Sequence, residues 1–74
     1  ASSRQQAYRM LEEQMAGAQL AEAVGEASRA LHLDQAEAAL RRAAAAGDLD
    51  AADAALTGLT AEQAQEVSAA ALGG

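Results

Sequence analysis

The stretch LDQAEAALRRAAAAGDLDAADAALTGL, residues 33–59 of the 74-residue chain, predicts two helices joined by a tight turn. Asp34 and Glu37 have the three-residue spacing of a capping box, which marks a helix start. Gly47 ends an alanine-rich helical run, and glycine most easily adopts the left-handed conformation found where helices end. The acidic segment DLD then begins another helix. The stretch therefore predicts a central helical hairpin over about residues 34–57.

The segments on either side of the hairpin are also helical in pattern. Thr60 and Gln63 repeat the capping-box spacing, so a further helix should follow them. The sequence contains no proline to interrupt helices and no alternating β-branched run typical of strands. The predicted helices span about residues 4–30, 35–46, 49–57 and 61–72. The predicted fold class is all-α, a small bundle of three to four helices in a single domain over residues 1–74.

The segment GDLDAADAAL, residues 47–56, resembles the turn between the paired helices of a tetratricopeptide-type repeat. A repeat array of that type implies a second copy about 34 residues away, and the sequence has none. We therefore interpret the segment as a helical hairpin rather than as evidence of family membership.

The first predicted helix has two apolar stripes. Tyr8, Leu11 and Met15 form one stripe, and Leu20 and Val24 belong to the other. At about 100° per residue, the second stripe is rotated by roughly 150° from the first. Either the helix breaks near Gly17, or one long helix, kinked or not, presents different faces to different neighbours. We expect the continuous helix.

Bulky apolar side chains are few in this alanine-rich chain, so a monomer of this length should be marginally stable. A second chain would add buried surface and would cover both stripes of a continuous first helix. We therefore expect a protein partner or self-association, with a homodimer favoured and an intertwined dimer as one form of it. The predicted interface residues are Tyr8, Met10, Leu11, Met15, Leu20 and Val24. The alternative is that they fill the core of their own domain.

The charge and composition argue against several classes of ligand. The net charge is −6, and all five basic residues are arginines, so the surface should repel nucleic-acid phosphates. No apolar run approaches the roughly 18–20 residues that cross a membrane, and no secretory signal is apparent. The absence of cysteine excludes disulfides and thiolate chemistry within this sequence. We expect no nucleic-acid or membrane partner, and a cytoplasmic location by default.

Candidate catalytic and metal-binding residues are sparse. His32 is the single histidine, and no sequence motif supplies a partner for acid–base chemistry. Glu12, Glu13, Glu22 and Glu26 could suggest a carboxylate site. However, helical di-metal sites also use Glu-x-x-His pairs, which are missing. We interpret these residues as a solvated acidic face. The sequence predicts no catalytic residue, cofactor or metal, and the protein is not expected to be an enzyme.

These observations favour a non-catalytic protein–protein interaction module. It would be a helical docking or oligomerisation domain, such as an end segment of a larger assembly. One alternative is a peptide-precursor leader, since double-glycine leaders resemble this chain in ending on Gly-Gly after an acidic helix. The other alternative is a small regulatory or chaperone-like subunit that holds a helix of a larger protein.

Overall fold

The computed structural model describes residues 3–73, which form five α-helices and, over that range, no β-strand. The helices are α1 (Ser3–Gln14), α2 (Gly17–Ala30), α3 (Asp34–Ala46), α4 (Leu49–Thr57) and α5 (Ala61–Gly73). The all-α prediction is confirmed. The prediction of three to four helices is wrong, because the first predicted helix is divided in two.

The division of the first helix occurs at Met15 and Ala16. Ala16 is extended, with φ −149° and ψ 166°, and Gly17 has φ +64°, a left-handed conformation that glycine adopts without strain. The predicted continuous helix over residues 4–30 is therefore wrong, and the break near Gly17 is the arrangement found. Because α1 packs mainly on α5 while α2 packs mainly on α3, each apolar stripe finds neighbours within the chain.

The central hairpin is formed by α3 and α4, as predicted. Gly47 adopts φ +68°, and the Asp48 N–H donates to the Ala43 carbonyl at 2.9 Å while the Gly47 N–H donates to Ala44 at 3.2 Å. This pair of bonds is a Schellman motif. The Asp48 carboxylate accepts from the Ala51 N–H at 3.1 Å and thereby caps α4. The turn thus ends one helix and starts the next with no intervening loop.

The predicted cap at Asp34 is wrong. Asp34 is the first residue of α3, and the capping position is held by Leu33, which offers no side-chain hydrogen bond. The Glu37 N–H donates instead to the Leu33 carbonyl at 2.8 Å, and the Glu37 carboxylate accepts from Arg41 Nε at 3.1 Å. The Glu37 side chain thus pairs with Arg41 of the following turn, and no capping box forms at the start of α3.

The second predicted capping box is confirmed. The Gln63 N–H donates to Thr60 Oγ1 at 3.0 Å, and the Thr60 N–H donates to Gln63 Oε1 at 3.1 Å. The N–H groups of Thr60 and Gln63 at the start of α5 are thereby satisfied, and the two side chains cap this helix reciprocally.

The core lies where all five helices meet, and it combines a few bulky side chains with many alanines. The bulky buried residues are Tyr8, Leu11, Leu20, Val24, Leu40, Leu56, Leu59 and Val67, and alanine provides the remaining buried apolar side chains. Small side chains allow helix axes to approach closely. The described chain accordingly measures only 26 × 24 × 21 Å.

Candidate interaction surface

The structure places the six predicted interface residues in two different environments. Tyr8, Leu11, Leu20 and Val24 are at most 3% exposed and belong to the core, whereas Met15 is half-buried and Met10 is 61% exposed. In this fold, only the two methionines among the six are accessible to a second molecule.

The break at Gly17 also removes the geometric reason for expecting a second chain. The two stripes face opposite ways only if one straight helix carries both of them. With α1 and α2 separate, Leu11 and Val24 both reach the same core and are completely buried. Association of two chains stays a prediction, and Met10 and Met15 are the predicted interface residues that remain accessible to a second chain.

An open, largely apolar groove of about 570 Å³ lies between α2 and the end of α5, and we call it the α2–α5 groove. Its lining residues are Met15, Gln19, Glu22, Ala23, Glu26, Ala27, Ala30, Ala70 and Ala71. Alanines on both helices form most of the floor, and Met15 adds an adaptable thioether. The sequence does not predict this surface, because alanines that line a groove have no spacing that distinguishes them from other helical alanines.

The exposed edge of the groove on α2 is acidic. Glu22 and Glu26 are four residues apart, so they lie in one row on the same face of the helix. Glu26 Oε1 is 3.9 Å from Arg41 Nη2, and its side chain remains 62% exposed. Across residues 3–73, no arginine lies within ion-pair distance of Glu22. The sequence identified this pair, but as an ordinary solvated acidic face.

Most of the arginines contact acceptors of their own chain. Arg4 Nε donates to the Leu59 carbonyl at 2.8 Å, and Arg9 lies 3.9 Å from Asp53. Arg29 and Arg41 both approach Glu37. None of these arginines lines the α2–α5 groove, and of its two edge carboxylates only Glu26 is approached by an arginine, Arg41 at 3.9 Å.

A second cavity, of about 610 Å³, lies where the α2–α3 link meets the α4–α5 link, and it contains His32. His32 is exposed in the link between α2 and α3 and has φ +61°. Asp34 is the one ionisable neighbour in the lining of this cavity. His32 and Asp34 are both solvent-exposed, so the cavity provides no desolvated acid–base pair.

A third, small cavity of about 60 Å³ adjoins Tyr8 and Glu12. Burial raises the pKa of the Tyr8 phenol to about 12, and the charges of Glu12 and Asp53 act in the same direction. Burial also raises the pKa of Glu12, with Arg9 opposing the change and Asp53 adding to it. These shifts reflect mainly the burial of this part of α1, with a smaller effect of Asp53 from α4.

The described part of the chain shows neither a metal-binding cluster nor a membrane-spanning helix. No group of three or more histidine, aspartate or glutamate side chains there is arranged to hold a metal ion. No helix within residues 3–73 has the length and apolar character needed to cross a bilayer. Of the glycines in the leader-like ending, Gly73 closes α5, whereas Gly74 lies outside the described residues.

The sequence matches no protein-family model, and comparisons with curated proteins and with solved structures found no significant similarity. The exposed surface is therefore the basis for a functional proposal.

Proposed function

We propose that this protein is a non-catalytic interaction module that binds a protein partner in the α2–α5 groove. The observation that supports the proposal is the groove itself, an open concave surface with an alanine floor on two helices. Small side chains leave space that the side chains of a docked helix can fill, which is a common mode of helix recognition. Met15 lines the groove while packing against the core, so it can adjust to a ligand.

A heteromeric partner agrees with the charge better than a homodimer does. Two copies would each carry a net charge of −6, and like charges oppose association. A chaperone-like subunit that holds a helix would use the same groove, so it is one form of the same proposal. The cytoplasmic location stays a prediction from the sequence.

The experiment that tests the proposal combines peptide selection with a matched pair of substitutions. A displayed library of helical peptides of mixed charge is selected for binding to the wild-type protein. Ala70→Arg places a long side chain in the groove, whereas Ala69→Arg adds the same charge at an exposed position beside it. Because both positions are exposed, circular dichroism should show the same fold and similar melting temperatures for both variants.

We expect the selected peptides to lose affinity for Ala70→Arg and to keep it for Ala69→Arg. Failure to select any binder, or equal binding to both variants, would show that the groove is not a docking site.

A further inference from the structure

We infer that the occupant of the α2–α5 groove is an amphipathic partner helix with arginine or lysine beside its apolar face. This inference rests on the proposed function and specifies the partner's chemistry.

The first support is the length of the groove. The lining on α2 runs from Gln19 to Ala30, about 16 Å at 1.5 Å per residue. That distance matches about three turns of a docked helix.

The second support is the shape of the floor. Ala23, Ala27 and Ala30 lie on one side of α2, and Ala70 adds another small side chain from α5. Because the floor is formed by small side chains, it can accept large apolar side chains from one face of a partner helix, at positions i, i+3 or i+4, and i+7 of that helix. Because these alanines already belong to well-formed helices, the groove needs no folding step before it binds.

The third support is charge. A ligand in the groove meets the row formed by Glu22 and Glu26, and only Glu26 has an arginine neighbour in its own chain, at 3.9 Å. Partner cations would pair with this row, and the net charge of −6 would steer them toward the protein. An acidic helix would meet repulsion at the same edge.

A second copy of the chain matches these requirements poorly. The helix with adjacent arginines is α3, but its apolar residues Leu40, Ala43 and Ala44 are buried in its own core. Arg41 of that helix is already engaged by Glu37 at 3.1 Å. The buried apolar face of α3 and the engagement of Arg41 make a different chain the better occupant.

The test extends the peptide selection. Library peptides of 16 residues carry arginine, lysine, glutamate, aspartate and glutamine at equal frequency in the positions beside the apolar face. We expect the peptides selected on the wild-type protein to be enriched in arginine and lysine. Their affinity should fall roughly 2- to 30-fold for Glu22→Gln/Glu26→Gln, the range for losing two exposed ion pairs.

The matched control is Glu13→Gln/Glu62→Gln, which removes two exposed carboxylates that do not line the groove. Its affinity should stay within about twofold of the wild type once long-range charge effects are screened at 0.15 M salt.

The possible outcomes separate this inference from the proposed function. Neutral or acidic peptides that bind the wild type and are blocked by Ala70→Arg would overturn the basic-helix inference and leave the docking function standing. A wild-type mass that doubles with concentration and returns to monomer in Ala70→Arg would identify a second copy as the occupant, again against the inference. Peptides insensitive to Ala70→Arg would reject both.

Discussion

Gly25 of α2 lies directly beneath the side chain of Arg41 from α3. A Cβ atom at Gly25 would overlap the guanidinium group, and it would also come within 2.7 Å of Arg41 Cγ. The arginine crosses α2 at this point and reaches Glu37 at 3.1 Å and Glu26 at 3.9 Å. Glycine within a helix is less favourable than alanine by about 1 kcal/mol. Here the absence of a side chain at Gly25 leaves room for Arg41 of α3 to pass over α2 and reach Glu26 at the acidic edge of the groove.

The first prediction concerns this relationship and uses a double-mutant cycle. In an Arg41→Ala background, Gly25→Ala should stabilise the protein by about 0.5–1 kcal/mol through helix propensity alone. In the wild-type background the gain should be smaller by at least about 0.5 kcal/mol, because Arg41 must leave its position and lose its carboxylate partners. Urea denaturation of the four proteins measures both values. Identical effects in the two backgrounds would mean that the two residues are not in contact.

The second prediction compares two glycines that end helices in different conformations. Gly47 has φ +68° and no atom that would meet an added Cβ within 4 Å, so the backbone conformation alone opposes a side chain. Gly47→Ala should destabilise the protein by about 1–2 kcal/mol. Gly58 has φ −74°, and Gly58→Ala should be neutral or stabilising by up to about 1 kcal/mol. Thermal or urea unfolding distinguishes the two, and equal losses would argue against the left-handed turn.

The third prediction concerns helix caps. The Asp48 carboxylate accepts a hydrogen bond from the Ala51 N–H, so Asp48→Ala should cost about 0.5–2 kcal/mol. Asp34 lies inside the first turn of α3 and is not the capping residue. Asp34→Ala should therefore lose only the interaction with the helix dipole, about 0.3–1 kcal/mol at low salt. Melting curves in low and high salt separate these effects, since the dipole term is screened. If Asp34→Ala lowered the free energy of unfolding more than Asp48→Ala does, Asp34 would be the helix cap, as expected from the sequence.

The fourth prediction concerns alkaline pH. The folded protein holds the Tyr8 proton up to a pKa of about 12, whereas the unfolded chain releases it near pH 10. Between these values the folded state binds more protons, so the free energy of unfolding should fall as pH rises, by roughly 2–3 kcal/mol in total. The sequence contains no lysine or cysteine, so no other side chain has an ordinary pKa between 9 and 12.

The measurement for this prediction is urea denaturation from pH 9 to pH 12. Phenolate absorbance provides an independent readout, because Tyr8 is the single aromatic residue. Tyr8→Phe is the control and should give a nearly flat profile over the same range. A sloping profile in that variant would assign the pH dependence to a different group.

The features that the sequence predicted well are those decided within a few residues. The Gly47 turn and the Thr60–Gln63 box each need only a local backbone shape and one or two hydrogen bonds. The break between α1 and α2 was harder to predict, because residues around Gly17 can form either a helix or a joint. The outcome depends on packing with α5 and α3, which are distant in the sequence.

The candidate site was less predictable for a related reason. Ala30 and Ala70 are forty residues apart, and they line one groove only because α5 packs on α2. The sequence instead indicated Leu11 and Val24, whose size marks them as important but does not say whether they face a core or a partner. Both are completely buried. Most of the large apolar residues fill the core and stabilise the fold, whereas the accessible groove is lined mostly by small residues.

The joint at Ala16 and Gly17 allows α1 to pack on α5 of the same chain. A straight helix over residues 3–30 would be about 42 Å long, well beyond the 26 Å maximum extent of the folded chain. If the joint straightened, α1 would project into solvent and leave its place on α5 vacant for the same helix of another copy. That exchange is domain swapping, in which a hinge rather than a new surface creates the dimer. Gly17→Ala disfavours the φ of +64° at this hinge, so the expected product at high concentration is an exchanged dimer, measurable by sedimentation.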